Sequence, residues 1–106
     1  MQRRSQRCPA EVTLEIIVGR WKVLIIWQLF RGEQRFSELF RALDGITQKM
    51  LTQQLRELEH DGIVLRTVYP QVPPKVEYSL TSLGESLRPV VDAMCEWGLK
   101  RSAGEG

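Results

Sequence analysis

Cysteine and histidine are the residue types that most often carry chemistry, and this chain of 106 residues has few of them. Its two cysteines are Cys8 and Cys95, and its single histidine is His60. A structural zinc site needs four closely spaced nitrogen or sulfur ligands, so we expect no metal. Nucleophilic catalysis needs a base beside the nucleophile, and His60 stands in a charged helical stretch without a recognisable partner.

The glycines give no phosphate-binding pattern, since they form neither a Gly-x-Gly-x-x-Gly motif nor a phosphate loop. We therefore predict no enzyme activity and no cofactor. A thiol-based redox enzyme is the one enzymatic alternative. The sequence lacks both a Cys-x-x-Cys motif and a second cysteine close to Cys8, which argues against it.

A second set of side chains is suited to DNA. Leu51, Leu55 and Leu58 recur at helical spacing and predict a long helix with one apolar side. At about 100° per residue, a group of polar side chains lies on the opposite side of that helix. We call this group the polar face: Gln48 at its edge, then Lys49, Thr52, Gln53 and Arg56.

The polar face has the chemistry of a DNA-reading surface. Gln and Arg make paired hydrogen bonds to adenine and guanine edges, Thr offers a hydroxyl and a methyl, and Lys neutralises phosphate. No acid interrupts this stretch before Glu57. An ordinary solvated helix face is the alternative, although such faces usually mix both charge signs.

Four predicted helices would position this face. The first covers residues 9–19, and the second, residues 21–30, is the expected centre of the core. The third is capped by Ser37 and ends at residues 44–45. The fourth is the long helix, which runs from its cap Thr47 to residues 61–62. Two helices joined by a short turn that contains glycine are the signature of a helix-turn-helix.

After the long helix the hydrophobic period changes to two. Alternating residues at 63–69 and 76–80 predict a β-hairpin, and its loop, residues 70–74, is rich in proline. The expected fold is therefore mainly α with a small β-hairpin, an α+β winged helix-turn-helix. In this fold the second helix enters the major groove and the hairpin loop reaches an adjacent groove or phosphates.

Four further residues are predicted phosphate contacts. Arg66 and Lys75 flank the loop, although a stiff surface turn explains the loop equally well. Ser37 stands at a helix start with Arg35 beside it, and the free N–H groups there attract anions. A plain capping role explains Ser37 at least as well.

Thr81 is expected to cap one final helix with a long apolar series. Its members are Leu83, Leu87, Val90, Val91, Met94 and Trp97. We predict a C-terminal dimerisation helix, assisted by the first helix, because so small a domain is not expected to cover this series alone. Two-fold symmetry would place two reading helices about one DNA turn apart, on a palindromic operator. A long core helix within a monomer is the alternative, and Cys95 is expected to be a small buried residue.

The charges are nearly balanced, with 15 basic and 13 acidic residues, but Arg3, Arg4 and Arg7 precede the first acid. We predict a flexible basic arm over residues 1–7 and a single domain over residues 8–106. The apolar runs are too short for a membrane span, and no secretory signal is visible. A cytoplasmic location is expected.

Four segments carry a family resemblance. They are residues 8–22 with Cys-Pro and Gly-Arg-Trp-Lys, residues 35–39 (Arg-Phe-Ser-Glu-Leu), residues 46–58, and residues 68–81 with the specific series Tyr-Pro-Gln-Val-Pro-Pro-Lys-Val-Glu-Tyr. Together they resemble the HxlR family of bacterial transcription regulators over about residues 8–100. The resemblance implies a dimeric winged-helix protein, related to the MarR group, that binds double-stranded DNA, usually as a repressor and sometimes as an activator. A winged helix that binds protein instead of DNA is the rival from another class.

In several regulators that this chain resembles, a cysteine matching Cys8 senses oxidants or electrophiles, by thiol modification or by a disulfide between subunits. A helix start and nearby arginines favour the reactive thiolate, so the chemistry is compatible with sensing. Simple packing is the alternative role for Cys8. The sequence identifies no small-molecule effector.

Overall fold

The computed structural model describes residues 8–104, which form six helices and one antiparallel hairpin. In chain order these are α1 Pro9–Ile17, α2 Trp21–Leu29, α3 Phe36–Ala42, α4 Gln48–His60, β1 Val64–Tyr69, β2 Lys75–Leu80, α5 Ser82–Glu85 and α6 Arg88–Gly104. This order is the predicted α+β winged helix-turn-helix. The predicted arm, residues 1–7, lies outside the described residues.

The core forms where α2 crosses α4. Ile25 and Ile26 of α2 are fully buried, and α4 inserts Leu51, Leu55 and Leu58, each no more than 2% exposed. The apolar seam predicted for the long helix is therefore confirmed, as is the central position of α2. Burying one whole side of α4 leaves its other side to solvent.

The turn between α3 and α4 fixes the direction of α4. Gly45 has a φ of +90°, a conformation that a side chain makes costly. The Oγ1 of Thr47 accepts a hydrogen bond from the Met50 N–H at 3.1 Å, so Thr47 is the N-cap as predicted.

The cap predicted for α3 is wrong by two residues. Arg35 is the N-cap, because its backbone N–H donates to the Glu38 carboxylate at 2.7 Å. Ser37 consequently lies inside the first turn. The glutamate reaching back to the N-cap N–H is half of a capping box.

The hairpin pairs Val64 with Leu80 at its base and Tyr69 with Lys75 beside its loop. A third segment joins it, since Gln34 and Tyr78 exchange two backbone hydrogen bonds of 3.0 and 2.8 Å. This bridge ties the chain before α3 to β2 and holds the hairpin against the helix-turn-helix.

The single final helix that we predicted is two helices, α5 and α6. Pro89 explains the break, because its nitrogen has no proton for the Glu85 carbonyl and its ring would collide with that carbonyl. Thr81 caps α5 as predicted, accepting from Gly84 N–H at 3.0 Å. Its hydroxyl also donates to the Gly62 carbonyl at 2.6 Å, which anchors α5 at the base of the hairpin.

None of the helices described is long and apolar enough to cross a membrane.

Candidate nucleic-acid interface

The polar face lies on the solvent side of α4, as its spacing predicts. Gln48, Lys49, Gln53 and Arg56 are exposed and Thr52 is half-buried. All five line one shallow surface depression. The structure therefore brings the five predicted residues of α4 together on one surface.

An ion pair neutralises the acid that follows this face. Lys22 of α2 is buried, and its Nζ lies 2.5 Å from the Glu57 Oε1. The Gln53 Nε2 donates to the other Glu57 oxygen at 3.3 Å. These hydrogen bonds, that of Lys22 first, and the positive charge of Lys22 lower the pKa of Glu57 below its ordinary 4.5. The negative charge beside the polar face is thus balanced by a buried cation.

Lys22 is not among the predicted site residues and enters the sequence analysis only within the family resemblance. The signal that could have found it is a lone lysine inside the apolar series of α2, Trp-Lys-Val-Leu-Ile-Ile-Trp. A buried charge of this kind needs a partner. The identity of the partner depends on how α2 crosses α4, which the sequence does not give.

A second cleft links α4 to the hairpin. Thr52 and Arg56 line it from α4, while Arg66 and Tyr78 line it from the two strands. Its volume is about 380 Å³, and its remaining walls are Phe36, Leu55 and Glu59. Arg66, predicted from its place beside the loop, therefore lies next to the polar face.

Lys75 is engaged by its own hairpin. Its Nζ lies 3.4 Å from a Glu77 carboxylate oxygen and 5.0 Å from the centre of the Tyr69 ring. Glu33, in the turn after α2, also faces this group. A hydrogen bond with the Glu77 side chain, and then repulsion from that carboxylate, raise the pKa of Glu33 above its ordinary 4.5. The predicted phosphate contact of Lys75 would have to compete with Glu77.

Arg35 and Ser37 are both exposed at the start of α3. Neither residue lines the depression of the polar face or the cleft beside the hairpin. They form a separate part of the same helix-turn-helix surface.

The two cysteines are free and exposed. Cys8 is the N-cap residue of α1. The expectation that Cys95 is buried is wrong, because α6 turns this side chain to an apolar depression that Trp27 and Met94 also line. Since the protomer does not fill that depression, Cys95 keeps contact with solvent.

The apolar series of the C-terminal segment is only partly covered. Val91 is 1% exposed and packs in the core of its own protomer, which corrects its assignment to a surface between protomers. Leu87 is half-buried. The other members of the predicted set are exposed, namely Leu83, Val90, Met94 and Trp97, and Leu99 is exposed as well.

Among residues 8–104, no group of three metal-ligating side chains comes together.

The model of the HxlR-like helix-turn-helix family matches residues 16–104. The HTH-type transcriptional regulator YtcD of Bacillus subtilis (strain 168) is 53% identical over 98 residues, which are 92% of this chain and 78% of YtcD.

Solved structures give the same result. The redox regulator HypR in its reduced form has a TM-score of 0.86 at 54% identity, over 90% of this chain and 94% of HypR. The reduced form of YodB from B. subtilis has a TM-score of 0.77 at 41% identity, over 86% of this chain and 90% of YodB. The chain therefore belongs to the HxlR family and is a helix-turn-helix transcriptional regulator, not an enzyme.

Proposed function

We propose that this regulator is a homodimeric repressor that binds a palindromic operator through the polar face of α4. The observation that carries the proposal is the grouping of Gln48, Lys49, Thr52, Gln53 and Arg56 on one exposed surface. The Lys22–Glu57 ion pair supports it, because balancing that acid keeps the neighbouring surface attractive to phosphate.

The five side chains divide into two roles. Arg56 and Gln53 read guanine and adenine edges, and Thr52 and Gln48 complete the contact surface in the major groove. Lys49 neutralises a phosphate. Arg66 assists from the hairpin, since it shares a cleft with Arg56. Arg35 and Ser37 contact phosphate at the start of α3, and Lys75 does so only after releasing Glu77.

A second copy of the chain covers the exposed apolar residues of α6. Met94 is 45% exposed and Trp97 69% exposed, and Val12 and Leu14 of α1 are exposed as well. Covering such residues is favourable by about 25 cal/mol for each Å² of apolar surface removed from water. A two-fold dimer also presents two copies of the polar face, which suits a palindromic operator.

Cys8 is the proposed sensor of oxidants or electrophiles. Its thiol is exposed at the start of α1, an element of the proposed dimer surface. HypR and YodB, which resemble this chain, have structures described as reduced, oxidised or diamide-treated. Modification of Cys8 would then change how two protomers pack. A DNA-binding regulator of this kind acts in the cytoplasm, where the chromosome lies.

The test begins with selection of a duplex from a random-sequence pool by the wild-type protein. Affinity for that duplex and for an unrelated one is then measured for Arg56→Ala, Gln53→Ala and Lys49→Ala. We expect Arg56→Ala and Gln53→Ala to lose about 1 to 3 kcal/mol on the selected duplex and to relax base choice. Lys49→Ala should weaken binding to both duplexes alike.

Equal losses on both duplexes for all three variants would contradict base reading by α4. Failure of the wild-type protein to bind any duplex in a salt-dependent way would favour the rival function, a winged helix that binds protein. For the sensor, oxidant treatment should weaken DNA binding by wild type and leave Cys8→Ser unchanged. Equal responses of the two proteins would exclude Cys8.

A further inference from the structure

The tip of the hairpin carries an apolar side chain where a charged one would be expected to meet DNA. Val72 is 99% exposed, the highest value among the large hydrophobic residues described. It lies in the middle of the loop, residues 70–74, which contains three prolines and no charged residue. Covering this apolar side chain with a partner lowers the free energy, because apolar surface leaves water. The stiff loop adds to the effect, since it loses little conformational entropy on binding.

The two cations of the hairpin, Arg66 and Lys75, lie in the strands and not in the loop at the tip. Arg66 lies three ladder pairs from the end of the sheet and lines the cleft beside Arg56. Lys75 is nearer the tip, but Glu77 and the Tyr69 ring hold its ammonium group. The loop itself, residues 70–74, carries no charged side chain and therefore offers DNA van der Waals contact.

The length of the hairpin suits the groove next to the one that α4 would occupy. From the Arg66–Tyr78 pair to the Tyr69–Lys75 pair is about 10 Å at 3.3 Å for each residue, and the loop extends further. Half a turn of DNA, which separates neighbouring grooves, is about 17 Å. The tip can thus reach the minor groove while Arg56 lies in the major groove.

We propose that Val72 is an apolar contact of the wing in the DNA minor groove, against deoxyribose and the base edges at its floor. The inference rests on the proposed DNA-binding function and adds to it a specificity residue outside α4. A guanine in the minor groove presents an amino group that adenine and thymine lack. Val72 would cover that group without accepting its hydrogen bond, so the wing favours A·T pairs in the flanks of the operator.

The experiment measures affinity for the selected duplex over a range of salt concentrations with Val72→Ser. We expect about a tenfold loss of affinity, the equivalent of burying one valine side chain, with no change in the salt slope. The thermal midpoint should stay that of wild type, because the Val72 side chain is almost wholly exposed. Val68→Ser is the matched control, since Val68 is half exposed on β1 and stands in the ladder opposite Val76.

Base analogues locate the contact. The duplex for this test keeps the selected centre and carries G·C pairs in its flanks, where replacing guanine by inosine removes only the minor-groove amino group. Wild type should then bind more tightly, and Val72→Ser should lose most of that gain. The same gain in both proteins would overturn the proposal.

Other results separate this inference from the proposed function. If wild type binds the duplex and Arg56→Ala weakens it, while Val72→Ser binds like wild type, only the Val72 inference fails. In that case the tip would be a surface for a protein partner. If wild type binds no duplex, the proposed function itself fails. A loss in Val72→Ser together with a smaller salt slope would also overturn the inference, because it would indicate lost ionic contacts.

Discussion

The two longest helices of the protein, α4 and α6, have opposite relations to the core. α4 has 13 residues and buries Leu51, Leu55 and Leu58, whereas α6 has 17 residues and buries only Val91. Both helices carry apolar residues at helical spacing. Helical spacing of apolar residues therefore predicts a helix, but it does not show whether the same chain or a second copy covers the apolar side of that helix.

The largest expected effect is in α4. Leu55→Ala should lower the free energy of unfolding by about 2 to 5 kcal/mol, because it leaves a cavity in a closely packed core. Urea denaturation followed by circular dichroism measures this loss. A change below about 0.5 kcal/mol would mean that the seam of α4 is not packed as described.

A charge in α6 should act on assembly instead. Met94→Asp is expected to raise the dimer dissociation constant by at least about 100-fold, since each protomer would bury an unpaired carboxylate. Sedimentation equilibrium at micromolar concentration measures it. Val91→Asp is unsuitable, because Val91 lies in the core and its replacement would test folding. A Met94→Asp protein that remains dimeric would remove α6 from the interface.

Replacing two glycines of the C-terminal segment, Gly84 and Gly98, should change stability in opposite directions and by smaller amounts. A Cβ on Gly84 would lie 2.3 Å from the Ile63 carbonyl oxygen, so Gly84→Ala should cost about 1 to 3 kcal/mol. A Cβ on Gly98, within α6, would meet nothing within 4 Å. Gly98→Ala should therefore stabilise the helix by up to about 1 kcal/mol. Thermal unfolding of both variants compares them, and equal effects would contradict the close anchoring of α5.

The ion pair between α2 and α4 predicts a modest pH dependence. The pKa of Glu57 is lower in the folded protein than its ordinary 4.5, so its stabilising contribution is present above pH 4.5. That contribution is lost as the pH falls through the lower folded value. Wild type should exceed Glu57→Gln in stability at about pH 7, and the difference should shrink at about pH 3. Glu59→Gln is the control on the same helix, and an unchanged difference at both pH values would exclude the pair.

The sequence predicted α4 closely because its signals are local. Thr47 caps the helix and three leucines mark its buried side, and both effects act within one element. The break between α5 and α6 was missed although Pro89 is visible in the sequence, since the apolar series continues through it. The helix-breaking proline was therefore visible, but the helical spacing of the apolar residues favoured one continuous helix.

Other features depend on how elements pack and could not be predicted. The Lys22–Glu57 pair joins α2 to α4, and the bridge from Gln34 to Tyr78 joins a turn to β2. Cys95 is exposed because the same chain does not fill the apolar depression that Cys95 lines with Trp27 and Met94. These features depend on how distant helices and strands pack against one another, and the residue pattern of a single sequence does not show that packing.

The comparison of α4 with α6 is tested most directly by the salt dependence of DNA binding. The test variant is Lys49→Ala, since Lys49 lies on the polar face, and the control is Lys100→Ala, since Lys100 is exposed on α6. Lys49→Ala should lower the slope of log affinity against log salt by about 0.9 for each bound protomer, because one phosphate contact is lost. Lys100→Ala should leave the slope at the wild-type value. A slope that is unchanged in Lys49→Ala and reduced in Lys100→Ala would contradict the assignment of α4 as the DNA-binding helix.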